Sequence, residues 1–140
     1  MTWLTWALLS AVFAGATAIL AKLGVQGVDA NFATAVRTTV VVAFTWLLAY
    51  VARQPNTFHP QSNRTWLFLV LSGMATGLSW LCYFRALQMG PASRVAPIDK
   101  LSVAFVIAFA AVFLGERLTW GKTLGCVLIV AGAIVIALDR

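Results

Sequence analysis

The sequence is poor in charge. Asp, Glu, Lys and Arg make up 10% of its 140 residues, while apolar residues make up 61%; soluble domains carry about 25% charged residues. A soluble fold of this size would have to expose large apolar patches, which excludes an ordinary soluble domain, whereas a bilayer solvates such surface. Acid is the scarcest charge, with 4 Asp and Glu against 10 Lys and Arg, for a net charge of +6. The basic residues form no stripe and no aromatic-rich face. They are scattered near the ends of apolar runs, which is the pattern of membrane-flanking charge and argues against a nucleic-acid surface. The two cysteines, Cys82 and Cys126, lie inside apolar runs, where they read as small packing residues rather than a disulfide or a metal site. The single histidine, His59, sits in a polar loop with no partner motif. No nucleophile–base constellation, metal-ligand spacing or phosphate-binding glycine loop is present, so neither an enzyme nor a cofactor is expected. No Lys or Arg precedes Lys22, so the N-terminus lacks the basic region of a signal peptide, and its apolar run is expected to be a helix of the mature protein.

What is present is long apolar runs. Crossing about 30 Å of hydrocarbon takes about 20 helical residues, and five runs reach that length: residues 3–23, 33–51, 66–87, 93–114 and 118–138. They lack the alternation of a membrane barrel, and open strands cannot satisfy their backbone groups in lipid. The expected fold is all-α, a polytopic membrane protein forming one transmembrane domain over residues 1–140. Turn chemistry separates the runs. Gly24, Gly27, Asp29 and Asn31 divide the first two, residues 52–64 form the only long loop, Gly90-Pro91-Ala92-Ser93 is a tight connection, and Gly115-Glu116-Arg117 precedes the last. Short connections make sequential helices antiparallel neighbours.

If the N-terminus marks one side of the membrane, that side receives Arg53, Arg64, Arg117 and Lys122, and the other receives Lys22, Arg37, Arg85, Arg94, Lys100 and Arg140. The positive-inside bias is therefore weak, which permits insertion in both orientations or in one set by other factors. A faint internal echo pairs Trp3 with Trp66, Lys22 with Arg85, Gly27 with Gly90, and Arg37 with Lys100.

Charge inside a spanning helix carries the most information. Each such residue costs roughly 2.5–3.5 kcal/mol at the helix centre and persists where it is paired, faces a cavity or snorkels. The candidates are Lys22, Arg37, Arg85, Asp99 and Lys100. Asp99 and Lys100 are the deepest, roughly 10–12 Å into the fourth run. Adjacent residues differ by about 100° around a helix, so these two are not expected to share a face, and Asp99 is expected to pair across helices with Lys22, Arg37 or Arg85. The cluster reads either as part of a path for a polar or anionic solute or as a structural ion pair. Pro97 follows one turn into the same run, where it either kinks the helix beside Asp99 or sits quietly in its first turns. Most of the aromatic residues read as interfacial belt; Trp6, Trp80 and Tyr83 are the candidates for a cavity wall. Gly73 and Gly77 on the third run, and Gly121, Gly125 and Gly132 on the fifth, have spacings that let helix backbones approach closely in lipid, and mark a packing or dimer face.

The stretch Tyr83-Phe84-Arg85-Ala86-Leu87-Gln88-Met89-Gly90-Pro91-Ala92-Ser93-Arg94-Val95-Ala96-Pro97 resembles the "Y-x-x-A-L-x-x-G-P-A-S-x-V-A-P" pattern of the EamA-type drug/metabolite transporter superfamily. Phe113-Leu114-Gly115-Glu116 resembles its "F-L-G-E" signature, and Leu124 to Gly132 its "L-G-x-x-L-I-x-x-G" ending. Phe13 and Lys22 fit its opening. The resemblance covers nearly the whole chain and implies a permease for a small metabolite or drug-like solute in a bacterial-type plasma (inner) membrane. Family members usually carry two such repeats in inverted orientation. A single repeat is similar to the small multidrug resistance proteins, which work as antiparallel homodimers, so the implied partners are the lipid bilayer, a small-molecule substrate and a second copy, with an antiparallel pairing matching the balanced charge. Those exporters carry a membrane glutamate in their first helix. This chain has no acid there, so their proton exchange does not carry over. Asp99-Lys100 stands where many members are uncharged, and Glu116 is expected to stabilise the start of the last helix. The alternative is a non-transporting membrane subunit or scaffold.

Overall fold

The computed structural model describes residues 2–52 and 62–139. The described residues are helical and contain no strand: α1 Trp3–Gly24, α2 Ala30–Val51, α3 Asn63–Met89, α4 Ala92–Asp99, α5 Ser102–Phe113 and α6 Trp120–Leu138. Among the described residues five segments are long and apolar enough to cross a membrane, with Ala92–Phe113 counting as one. Most of the expected long loop, including Arg53 and His59, lies outside the described residues, as does Arg140.

Local polar groups set the helix starts. The Asp29 carboxylate accepts from the amides of Asn31 at 2.9 Å and Phe32 at 3.0 Å. This N-cap satisfies donors that have no intrahelical partner, so α2 starts at Ala30, earlier than hydropathy alone implies, and Asn31 belongs to the helix rather than to the turn. Ser62 does the same for α3 by accepting from the Thr65 amide at 3.2 Å. The Thr119 side chain accepts from the Lys122 amide and delays α6 to Trp120. Two turns need a left-handed residue, and glycine supplies it at Gly27 (φ +73°) and Gly115 (φ +68°). The Gly115 turn returns the Glu116 amide to the Ala110 carbonyl at 3.1 Å, closing the end of α5.

The fourth run is not one helix. From Lys100 to Ala104 the backbone bonds tighten to three-residue spacing: Lys100 to Pro97, Leu101 to Ile98, Val103 to Lys100 and Ala104 to Leu101. The change follows Pro97, which lies inside α4 and has no amide proton to give.

The chain divides into two compact units. The first holds residues 1–22 and 89–140. In it α4 and α5 pack on α6, and Ala18, Ala21 and Ala133 are buried. The second holds residues 23–88, with α2 and α3, and buries Val25, Ala30, Thr34, Phe84 and Leu87. These buried positions gather where α2 begins and α3 ends. Elsewhere large apolar side chains point outward, such as Phe105, Phe109 and Phe113, which stack in a row along α5 at 6.3 and 5.9 Å. Outward apolar side chains on helices of this length are what a lipid solvent requires.

Candidate functional site

In the second unit the Arg37 guanidinium lies over the Trp80 ring, 4.3 Å from its centroid, and 5.5 Å from that of Phe84. Arg37 is in the third turn of α2. Trp80 and Phe84 are four apart on α3 and therefore share a face. Phe84 is 3% exposed and Arg37 is half-buried. Among the described residues Arg37 makes no hydrogen bond or ion pair, and the Tyr83 side chain interacts with it electrostatically. Arg85, one residue from Phe84, turns elsewhere: its Nη1 donates to Gln88 Oε1 at 3.1 Å, and Gln88 Nε2 donates to the Val28 carbonyl at 2.6 Å. Gln88 thus ties the end of α3 to the turn before α2. Tyr83 is half-buried beside Phe84.

On the same two helices an open groove of about 500 Å³ is lined by Asn31, Thr34, Ala35, Thr38, Thr39, Val42, Gly77 and Leu81. Its threonine hydroxyls donate to carbonyls one turn back, Thr34 to Ala30 at 2.7 Å, Thr38 to Thr34 at 2.8 Å and Thr39 to Ala35 at 3.0 Å. With their protons engaged, the hydroxyl oxygens offer acceptor sites. The repeat of Thr34 and Thr38 one turn apart is the sequence signal for this polar stripe, and hydropathy counting passes over it. Gln88, Phe84 and the groove threonines carry no charge, so the pattern of charge within the spans does not mark them.

In the first unit Lys22 Nζ donates to the Gly90 carbonyl at 2.8 Å. Asp99 Oδ2 lies 3.4 Å from Lys100 Nζ. The adjacent pair, not expected to share a face, is joined because the long Lys100 side chain reaches its neighbour's carboxylate, while Lys100 keeps an αR backbone and its amide still bonds the Ala96 carbonyl. Lys122 Nζ is 3.1 Å from Glu116 Oε2, which places the Glu116 carboxylate at the first turn of α6. Trp6 is 62% exposed on α1.

The structure brings Arg37 together with Trp80, and Asp99 with Lys100. The glycines behave differently. A Cβ placed on Gly73, Gly77, Gly121, Gly125 or Gly132 meets no atom within 4 Å, so none of them is a point of close helix approach inside its own unit. Among the described residues no group of three or more His, Cys, Asp or Glu side chains could hold a metal ion.

Five long apolar helical spans among the described residues define a polytopic helical membrane protein. The chain belongs to the EamA-like transporter family, which it matches over residues 1–138. It is 50% identical over 138 residues to a protein of Sinorhizobium sp named "Uncharacterized transporter in cobO 3'region", covering 97% of this chain and 96% of that one. It is 33% identical over 137 residues to the "Probable terminal-alkyne amino-acid exporter" of Streptantibioticus cattleyicolor, covering 94% of this chain and 44% of that protein. It is 30% identical over 128 residues to the "Uncharacterized transporter YxxF" of Bacillus subtilis, covering 91% of this chain and 40% of that protein. The chain thus spans nearly all of the Sinorhizobium relative and less than half of the other two. No solved structure matches it.

Proposed function

We propose that the protein is a permease for a small metabolite or drug-like solute, that it works in the bacterial-type plasma (inner) membrane, and that its working form is a homodimer. The observation that carries the reading is the break at Asp99-Lys100. It lies roughly 12 Å along the fourth span from Ala92, close to the middle of a bilayer about 30 Å thick. Discontinuous helices with polar groups at the break recur where transporters hold solutes. Asp99 and Lys100 form the coupling or gating element, and Arg37, Trp80 and Tyr83, with Lys22, Arg85 and Trp6 in support, belong to the solute path.

Two features support the homodimer. The longer relatives have room for a second unit of this size, which a second copy of this chain would supply. The open faces at Gly121, Gly125 and Gly132 on α6 suit close helix contact with another chain. An antiparallel pair is the form of the dimer that matches the weak positive-inside bias.

The test is the location of the C-terminus, read by reporters active on one side of the membrane only and fused after Arg140. Signal from both sides supports the antiparallel homodimer. Signal from one side alone removes it, and leaves a parallel dimer, a different partner chain, or a non-transporting subunit. Solute flux in vesicles containing this chain alone separates the parallel dimer from the other two.

A further inference from the structure

We propose that Arg37 is an oxyanion-binding residue, and that the anionic end of the ligand, a carboxylate or phosphate, docks on its guanidinium between α2 and α3. The proposal rests on the transporter reading and names the chemistry of its ligand.

The argument begins with charge. A guanidinium keeps its charge and has five N–H donors in a fixed fork. Arg37 lies about 10 Å along α2 from Ala30, within the apolar part of a membrane span. There a charged group persists when something compensates it. Trp80 and Phe84 compensate in part through their ring faces, and the Tyr83 side chain interacts with the guanidinium electrostatically. Ring faces are weak acceptors, and no oxygen of the described residues accepts from Arg37.

The acids of this chain are committed elsewhere. Between residues 23 and 88 Asp29 alone is acidic, and its carboxylate caps α2 through the Asn31 and Phe32 amides. Asp99 is paired with Lys100 and Glu116 with Lys122, and Asp139 lies at the far end of α6. The counter-charge that Arg37 lacks within its unit is supplied from outside the chain. A carboxylate or phosphate oxygen pair matches the fork in a bidentate manner.

One chemistry can come from two sources, a soluble organic anion or the phosphate of an anionic lipid. Equilibrium binding to the full chain in phosphatidylcholine nanodiscs tests the site. The probe is para-nitrobenzoate, a carboxylate that quenches nearby indole fluorescence, with para-nitrobenzamide as its uncharged match. Saturable quenching by the carboxylate is expected, with little from the amide. Arg37→Gln is expected to weaken it roughly 10- to 100-fold, Arg37→Lys to weaken it less, and Arg94→Gln to leave it unchanged. Trp80→Phe is expected to remove most of the quenching signal. Equal response to the amide, unchanged affinity in Arg37→Gln, or no saturable response to the carboxylate overturns the proposal. Should Arg37→Gln lose its helical circular dichroism, Arg37→Lys decides, since it keeps the charge and loses the fork; unchanged affinity there overturns the bidentate site.

Phosphatidylglycerol added to the nanodiscs separates the sources. Competition that depends on Arg37 identifies lipid phosphate as the occupant, and its absence identifies a soluble anion. Binding and transport fail separately. Anion binding without any solute flux retains this site and sinks the transporter reading. Flux of an anionic solute with the same KM in Arg37→Gln sinks the site and retains the transporter.

Discussion

The Lys22 ammonium donates a 2.8 Å hydrogen bond to the Gly90 carbonyl, joining the last turn of α1 to the connection between α3 and α4. Lys22 is also the basic residue in the final turn of α1, where a cation is favoured by the helix dipole. The Gly90 carbonyl lies just past the end of α3, where carbonyls lack intrahelical partners. One side chain thus serves two helix ends.

Lys22→Met keeps the apolar stem and removes the charge. It is expected to cost about 1.5 kcal/mol, the lower end for a hydrogen bond to a charged group, because the pair is only part-buried. Unfolding in detergent mixtures measures the loss. Lys22→Arg, which can still donate, should recover most of it, and full stability of Lys22→Met would show that the bond contributes nothing.

Asp99 and Lys100 compensate each other at the helix break. Asp99→Asn alone leaves a lone cation in the span, at a cost of up to roughly 2.5–3.5 kcal/mol if it stays at depth, and membrane insertion should fall. Replacing both by leucine should restore insertion. Transport in that double variant is then the informative readout. Its loss places the pair in the solute path, and its survival makes the pair structural.

Pro97→Ala supplies the missing amide and favours a continuous fourth span, since proline is about 3 kcal/mol worse than alanine inside a helix. Spin labels at Arg94 and Val112 should move apart as the segment straightens, and solute flux should fall. An unchanged distance would assign the break to packing on α6 rather than to the proline.

Asp29→Ala removes the cap of α2 and is expected to cost about 1 kcal/mol, with Asp29→Asn or Asp29→Ser recovering most of it. Thermal unfolding in micelles follows the series, and equal stability across it would mean that the Asn31 and Phe32 amides find other partners.

Gly125→Val and Gly132→Val add bulk where nothing lies within 4 Å. Helical circular dichroism of the monomer should be unchanged, while cross-linking between copies should drop if α6 is the dimer face. Retained cross-linking moves that face to another helix.

Much of the architecture is legible in the order of residues. Spans of about 20 apolar residues can satisfy their backbone in lipid only as helices, so hydropathy alone locates all five. Asp29, Thr119 and Gly115 mark ends that hydropathy blurs, because caps act through individual hydrogen bonds rather than through average polarity. The charged candidates were also legible, since depth along a run follows from counting residues.

Their partners were not. Which face of α2 meets α3 depends on helix rotation, and the composition of both helices is apolar nearly all round. Only the folded chain puts Arg37 over Trp80 and Phe84, and ties Arg85 through Gln88 to Val28. The pairing of Asp99 with Lys100 was hidden for a different reason. Helix geometry fixes where neighbouring side chains start, and the reach of the flexible Lys100 side chain decides what it meets. Residue order by itself determined that this chain is a five-span membrane protein with too few acids for its cations. The tertiary structure decided which cations meet an acid and which meet an aromatic ring, because contacts between helices depend on rotation and bending that local sequence does not encode.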